Sequence, residues 1–122
     1  MLATLAEAPL ADAELVYEPK YDGIRAIAEV SAGGEDIRLW SRLGNEKTQQ
    51  FPEVVEALAA WARRRTEPVV LDGELVALDA KGEPAGFQKL QGRIQTQAPG
   101  SLEGAVAFVL FDALRIGSQD LR

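Results

Sequence analysis

The sequence contains no cysteine and no histidine. The first absence excludes disulfides and thiolate metal sites and leaves the redox compartment open. The second removes the commonest general base and the commonest zinc ligand. Catalysis by this chain therefore has to rest on Lys, Arg, Asp, Glu or a hydroxyl. No apolar run approaches the roughly 20 residues of a membrane helix. The opening stretch is broken by Glu7, Pro9, Asp12 and Glu14, so it does not read as a secretory signal, and a cytoplasmic location is expected. Positive charge is also scarce. A net charge of −6 argues against broad nonspecific binding to nucleic acid, which depends on Lys and Arg neutralising phosphates. It leaves room for a local basic patch. There is no internal repeat and no low-complexity tract.

What is present is an ordinary globular composition. The 122 residues are 47% hydrophobic and 26% charged, enough for one small domain that buries about two thirds of its unfolded surface. Residues 1–13 form an irregular lead-in. Leu15-Val16-Tyr17 reads as a short strand running into Glu18-Pro19-Lys20. Ile24, Ala26, Ala28 and Val30 alternate onto one face, Gly33-Gly34 is a turn signal, and Ile37 and Leu39 alternate again, which together predict a β-hairpin.

Residues Pro52 to Arg65 have helical spacing, with Val54, Val55, Leu58, Trp61 and Ala62 on one stripe. Glu53 in the first turn and Arg63, Arg64 and Arg65 in the last suit the helix dipole. Val69 to Leu71 and Glu74 to Leu78 read as two strands, followed by a turn near Lys81-Gly82. Phe87 to Ile94 reads as a short helix. Ala105 to Asp112 is an apolar run expected to be a central strand buried on both faces. The pattern is α+β, antiparallel sheet with flanking helices. A central strand so near Arg122 would need a neighbour beyond it, so the fold is expected to continue past this sequence.

Three segments could carry chemistry. In Glu18-Pro19-Lys20-Tyr21-Asp22-Gly23-Ile24-Arg25, Gly23 permits a sharp bend that brings a lysine and an arginine together. Such a pair could hold phosphate, Arg25 as a charged fork and Lys20 as an amine. Lys20 could also be a nucleophile once deprotonated. A free lysine has a pKa of about 10.4, so about one in a thousand is neutral near pH 7.5. A neighbouring cation would raise that fraction and Asp22 would lower it. A solvated hairpin turn accounts for the same residues. In Leu71-Asp72-Gly73-Glu74-Leu75, Asp72 and Glu74 share parity and would point the same way from an extended chain. They suit a divalent cation or a ribose hydroxyl, and an ordinary Asp-Gly turn is the competing reading. Ser41-Arg42-Leu43-Gly44-Asn45, with Lys47 and Thr48, is a polar loop able to touch a phosphate backbone.

In order along the chain, these segments resemble the covalent nucleotidyltransferase superfamily of ligases and capping enzymes. The Lys-x-Asp-Gly-x-Arg motif is matched by Lys20, Asp22, Gly23 and Arg25. A Ser-Arg-x-Gly, Thr, Phe-Pro-Glu segment is matched by Ser41, Arg42, Gly44, Thr48, Phe51, Pro52 and Glu53. Asp72-Gly73-Glu74 and Phe111-Asp112 match the next two motifs. The opening Met1-Leu2-Ala3-Thr4-Leu5 and the residues Phe87, Gln88, Leu90, Gln91 and Arg93 are similar to bacterial ATP-dependent DNA ligases, including the ligase modules of end-joining repair enzymes. The resemblance implies that residues 1–122 are the N-terminal part of an adenylation domain, a partial ATP-grasp-like DNA ligase nucleotidyltransferase fold without its OB-fold domain.

The same resemblance implies that ATP is the cofactor, that Lys20 carries AMP as a covalent intermediate, and that Mg²⁺ or Mn²⁺ assists. Glu18 would lie against the adenine edge and Arg25 near the ribose and phosphate. Arg42 would contact a ribose or a DNA phosphate, Glu74 the ribose or a metal ion, and Phe111 would stack on adenine. Asp22, Gly23, Asp72 and Gly73 would support the motifs. The implied partners are nicked or broken duplex DNA, held weakly by so acidic a stretch, together with the C-terminal part of a ligase or other repair proteins. An RNA ligase or capping-type enzyme, or a noncatalytic nucleotide-binding remnant of the same scaffold, are the alternatives. Later family motifs, a Glu-Gly with a downstream lysine and a Lys-x-Lys, have no counterpart before Arg122. Little or no complete ligation is therefore expected from these residues.

Overall fold

A computed structural model describes residues 13–95 and 104–122. The first twelve residues, with the Met1 to Leu5 match, lie outside them. Strand β1 (Ile24–Val30) and strand β2 (Ile37–Ser41) form the expected antiparallel hairpin, with Val30 opposite Ile37 and Ala28 opposite Leu39. The turn between them is a short 3-10 segment in which Gly33 and Gly34 both have positive φ, near 75° and 73°. A side chain would strain there. Helix α1 (Pro52–Ala62) follows, opened by Pro52 in the first turn, where a missing N–H breaks no helical hydrogen bond.

The chain then enters β3 (Val69–Ala77), crosses a turn at Lys81-Gly82, and forms a 3-10 turn at Phe87–Leu90 leading into helix α2 (Gln91–Gln95). It closes with β4 (Val106–Ile116) and β5 (Gln119–Asp120). The five strands make one antiparallel sheet in the order β2-β1-β3-β4-β5. The α+β antiparallel class is the one expected from the sequence pattern. No helix among the described residues is long and apolar enough to cross a membrane.

One face of the sheet carries the core. Ala26, Ala28 and Val30 of β1, Leu39 of β2 and Leu71 and Leu75 of β3 are buried against Phe51 and the Val54, Leu58 and Ala62 stripe of α1. The period-2 alternation of the strands and the i, i+4, i+8 spacing of the helix thus meet in one layer.

The structure departs from five expectations. Leu15-Val16-Tyr17 is not a strand: the segment is irregular and exposed, with Val16 at 89%, and no neighbouring strand pairs with it among the described residues. The two strands expected around Asp72-Gly73 are one, because both residues pair with β1, Asp72 opposite Ile27 and Gly73 opposite Ala26. Trp61 leaves the apolar stripe and is 47% exposed. The helix ends at Ala62, so the arginines follow it, and Arg65 stacks over the Trp61 ring at 4.7 Å. Finally, β4 is not buried on both faces. Beyond β3, its strand partner among the described residues is the two-residue β5, at Arg115 and Ile116, and Leu110 and Phe111 are about half exposed.

Truncating Phe51, which is fully buried, to alanine is expected to cost about 3–5 kcal/mol of unfolding free energy. Val16→Ala should change it by less than about 0.5 kcal/mol. Urea titration of the two variants measures both; a large cost at Val16 would show that the segment is packed after all.

Candidate active site

The face of the sheet opposite α1 carries the charged residues. In the β1–β3 register Arg25 stands opposite Glu74, and Ile27 opposite Asp72. Arg25, Asp72 and Glu74 therefore project from the same face, as the shared parity of the two acids anticipated. Asp72 is buried, at 5% exposure. Arg25 clasps it with two parallel hydrogen bonds, Nε to Oδ1 at 3.0 Å and Nη2 to Oδ2 at 2.5 Å. This fork geometry is the strong form of an ion pair. The hydrogen bond with Asp72 and the carboxylate's charge raise the guanidinium pKa above its ordinary value. Arg25, which the sequence offered as a phosphate-holding fork, thus already holds the Asp72 carboxylate.

Glu74 has a different task. Its Oε1 accepts the backbone N–H of Gly23 at 3.2 Å. Burial pushes the Glu74 carboxyl above its usual range, while the Gly23 hydrogen bond and the charge of Arg25 work against that rise. Gly23 itself lies directly on β3. A Cβ built there would stand 2.0 Å from the Leu75 carbonyl oxygen and 3.0 Å from its carbon. The requirement for glycine at this bend is space, and its φ is not in the positive region. Gly73 is bare for the same kind of reason. Its Cβ would meet the Val109 oxygen at 2.4 Å and the Phe108 ring at 2.7 Å, so this is a packed strand interior and not a turn.

Lys20 precedes this anchor by three residues, which confines its backbone to within about 10 Å of Gly23. Glu18 and Lys20 are exposed on the irregular segment ahead of β1. Asp22 binds across the fold, accepting the N–H of Phe87 at 3.1 Å. Phe111 occupies a special backbone position. Gly73 pairs with Leu110 and Asp72 with Asp112, so Phe111 is the extra residue of a β-bulge beside Asp72. Bulges bend a strand and re-aim its side chains; Phe111 is 51% exposed. Arg42 sits in the exposed turn just past β2, where Ser41 pairs with Ala26. Arg42, the Lys20 loop, Arg25, Asp72, Glu74 and Phe111 thus fall along one band across four adjacent strands, roughly 14 Å wide at the usual strand spacing.

Other motif residues prove to be scaffold. The Thr48 hydroxyl accepts the Leu39 N–H at 3.1 Å and donates to Glu46 at 2.9 Å. Phe51 is core, and Glu53 pairs with the buried Arg93, which also donates to the Gly104 carbonyl at 2.7 Å. Leu90 is core as well. The sequence reading missed the Arg25–Asp72 clasp, the Phe111 bulge and the Phe87 N–H. Only the first had a usable signal, an arginine and an acid of matching parity on strands expected to pair. A divalent cation was also expected here, yet these residues do not by themselves fit one. Arg25 takes both oxygens of Asp72, Glu74 supplies one more carboxylate, and among the described residues no three acidic, His or Cys side chains cluster to hold a metal.

Comparison with known proteins identifies the family of the chain. Residues 1–122 match the family described as "ATP dependent DNA ligase domain". The chain is 41% identical over 109 residues to a probable DNA ligase of Streptomyces griseus, covering 85% of this chain and 20% of that protein. It is 40% identical over 121 residues to a probable DNA ligase of Koribacter versatilis, covering 93% and 20%. Among solved structures, the ligase domain of M. tuberculosis LigD superposes with a TM-score of 0.64 at 32% identity, covering 85% of this chain and 30% of that one. A mycobacterial DNA ligase D complexed with ATP and MES gives 0.61 at 33% identity, with the same coverages. The chain thus spans about a fifth of the length of these curated relatives.

The raised Glu74 pKa has a signed consequence. The folded state holds that proton more tightly than the unfolded chain, so the group's stabilisation is present below the ordinary carboxylate pKa and is lost as pH rises through the folded value. Glutamine keeps an oxygen for the Gly23 N–H and does not titrate. Relative to Glu74→Gln, the parent should lose stability as pH rises above the ordinary carboxylate range, and the loss should stop once the folded carboxyl has ionised. Urea unfolding of both proteins across that range checks it; a difference independent of pH would be contrary to the expectation.

Proposed function

The chain belongs to the ATP-dependent DNA ligase domain family, and from that premise we propose that Lys20 is the nucleophile that accepts AMP. The amine lone pair attacks the α-phosphorus of ATP. A P–N bond forms, the α–β phosphoanhydride bond breaks, pyrophosphate leaves and the amine loses one proton to solvent, keeping one N–H in the phosphoramidate. AMP next passes to the 5′-phosphate of a DNA nick, which breaks the P–N bond and returns a proton to Lys20. The 3′-hydroxyl then attacks the activated 5′-phosphorus, expels AMP and seals the strand. This chemistry depends on positioning and on stabilising charge around phosphorus.

The observation that carries the reading is the anchorage of the Lys20 loop. Gly23 lies bare against Leu75 and is bonded to Glu74, and the next strand begins with Arg25 clasped to Asp72. A long, mobile lysine stem thereby starts from a defined backbone. Around it, Glu18 reads the adenine edge and Phe111 stacks on the base, its bulge leaving one ring half exposed. Glu74 meets the ribose with what its Gly23 bond leaves free. Arg25 offers the phosphate the guanidinium N–H groups that Asp72 does not take, and Arg42 reaches a ribose or DNA phosphate. A net charge of −6 makes these residues a nucleotide site before a DNA site, so duplex DNA is gripped with the help of other parts of a ligase.

Incubation with ATP and Mg²⁺ followed by intact-mass measurement should show a gain of one AMP, absent from Lys20→Ala. AMP on another lysine would overturn Lys20 as the nucleophile. ATP binding with no mass gain would favour a noncatalytic nucleotide-binding role.

A further inference from the structure

The loop that bears Lys20 is held from two directions. From β3, Glu74 takes the Gly23 N–H. From the other side, the Asp22 carboxylate accepts the N–H of Phe87, 65 residues later in the chain, at 3.1 Å. Gly86 passes close by; a Cβ there would come within 3.9 Å of Asp22 Oδ2. The turn that Phe87 opens is firmly seated. Leu90 at its end is fully buried, and Arg93 one turn on pairs with Glu53 at the start of α1. A hydrogen bond to Phe87 therefore ties Asp22 to the core and not to a second loose loop.

We propose that Asp22 is a positioning residue that clamps the Lys20 loop to the Phe87–Leu90 turn, so that the loop is fixed between that turn and β3. The proposal rests on Lys20 being the nucleophile. Asp22 is two residues from Lys20, and its oxygen acts as a hydrogen-bond acceptor; its charge is not what the contact needs. The tether restricts where the lysine stem starts, and a displacement of about 1 Å at a reacting group can cost about 100-fold in rate.

The donor and the acceptor can be removed separately in the 122-residue chain. Phe87→Pro deletes the N–H at the first position of a helical turn, where proline is well tolerated. The preceding Gly86 already has the extended conformation (ψ 156°) that a following proline demands. Phe87→Ala removes the ring and keeps the N–H. Asp22→Ala removes the acceptor, and Asp22→Asn keeps one. The readouts are the rate of tryptic cleavage after Lys20 and the rate of AMP uptake at saturating ATP, with thermal unfolding as the check on folding.

Asp22→Ala and Phe87→Pro should each speed cleavage about fivefold, the scale of one lost hydrogen bond, and slow AMP uptake. Asp22→Asn and Phe87→Ala should stay near the parent. The Asp22→Ala/Phe87→Pro double variant should cleave no faster than either single one, because both remove the same contact. Equal cleavage in all variants, or failure of Asp22→Asn to restore it, overturns the tether. Faster cleavage with undiminished AMP uptake overturns the positioning role. A parent that takes up no AMP overturns the proposed function and the positioning role with it, while the cleavage rates still decide the tether.

Discussion

The close approach of Gly23 to the backbone of β3 is the constraint on which the surrounding geometry depends. No side chain fits between that residue and the Leu75 carbonyl. Because the chain comes in that close, Gly23 can donate to Glu74 and β1 can begin at Ile24 opposite Leu75. That register then sets Arg25 beside the two acids of β3. Had the strands paired one residue differently, the charged set would have turned into the α1 core and the alanines out of it. The apolar packing against α1 and the charged band on the opposite face are two consequences of a single register.

Within the charged band, most groups already have a partner. Arg25 and Asp72 satisfy each other, which makes the buried carboxylate tolerable. Only the carboxylate is buried, the Arg25 side chain being 51% exposed, so the costly loss is that of Arg25, which would leave Asp72 uncompensated. The value of the pair here is orientation: the guanidinium is held flat and aimed, with part of its donor set still available. Glu74 is engaged by the backbone of the bend, and Asp22 by the turn at Phe87. Glu74 and Asp22 thus act as acceptors for backbone N–H groups. This also explains why the region does not present a cluster of carboxylates ready for a cation.

On the other side of β3, the sheet is irregular where the band ends. Strand β4 shifts register against β3 between Val70 and Leu71, and again between Asp72 and Gly73. The second shift expels Phe111 from the ladder. Gly73 allows the Phe108 ring and the Val109 carbonyl to press in, and the strand bends around that contact. One glycine in β3 and one extra residue in β4 together put Phe111 at a bulge next to the Asp72 pairing position, on an edge that β5 covers only at its far end.

The sequence by itself determined the elements whose signal is local. Period-2 alternation marked β1 and β2, Gly33-Gly34 their turn, and Pro52 with the Val54, Leu58, Ala62 stripe marked α1, since these patterns follow from backbone geometry alone. Motif order likewise pointed to the family and to Lys20, Arg25, Asp72 and Glu74 as a group. Only the tertiary structure decided what each residue touches. Asp-Gly reads as a turn in isolation and becomes a strand interior once β1 and β4 supply partners on both sides. Leu15-Val16-Tyr17 has strand composition, yet no strand among the described residues pairs with it. The Gly23 approach, the Arg25–Asp72 clasp, the Phe111 bulge and the Asp22–Phe87 tether all join residues far apart in the chain. Contacts of that kind are set by register and packing, which no local window of sequence contains.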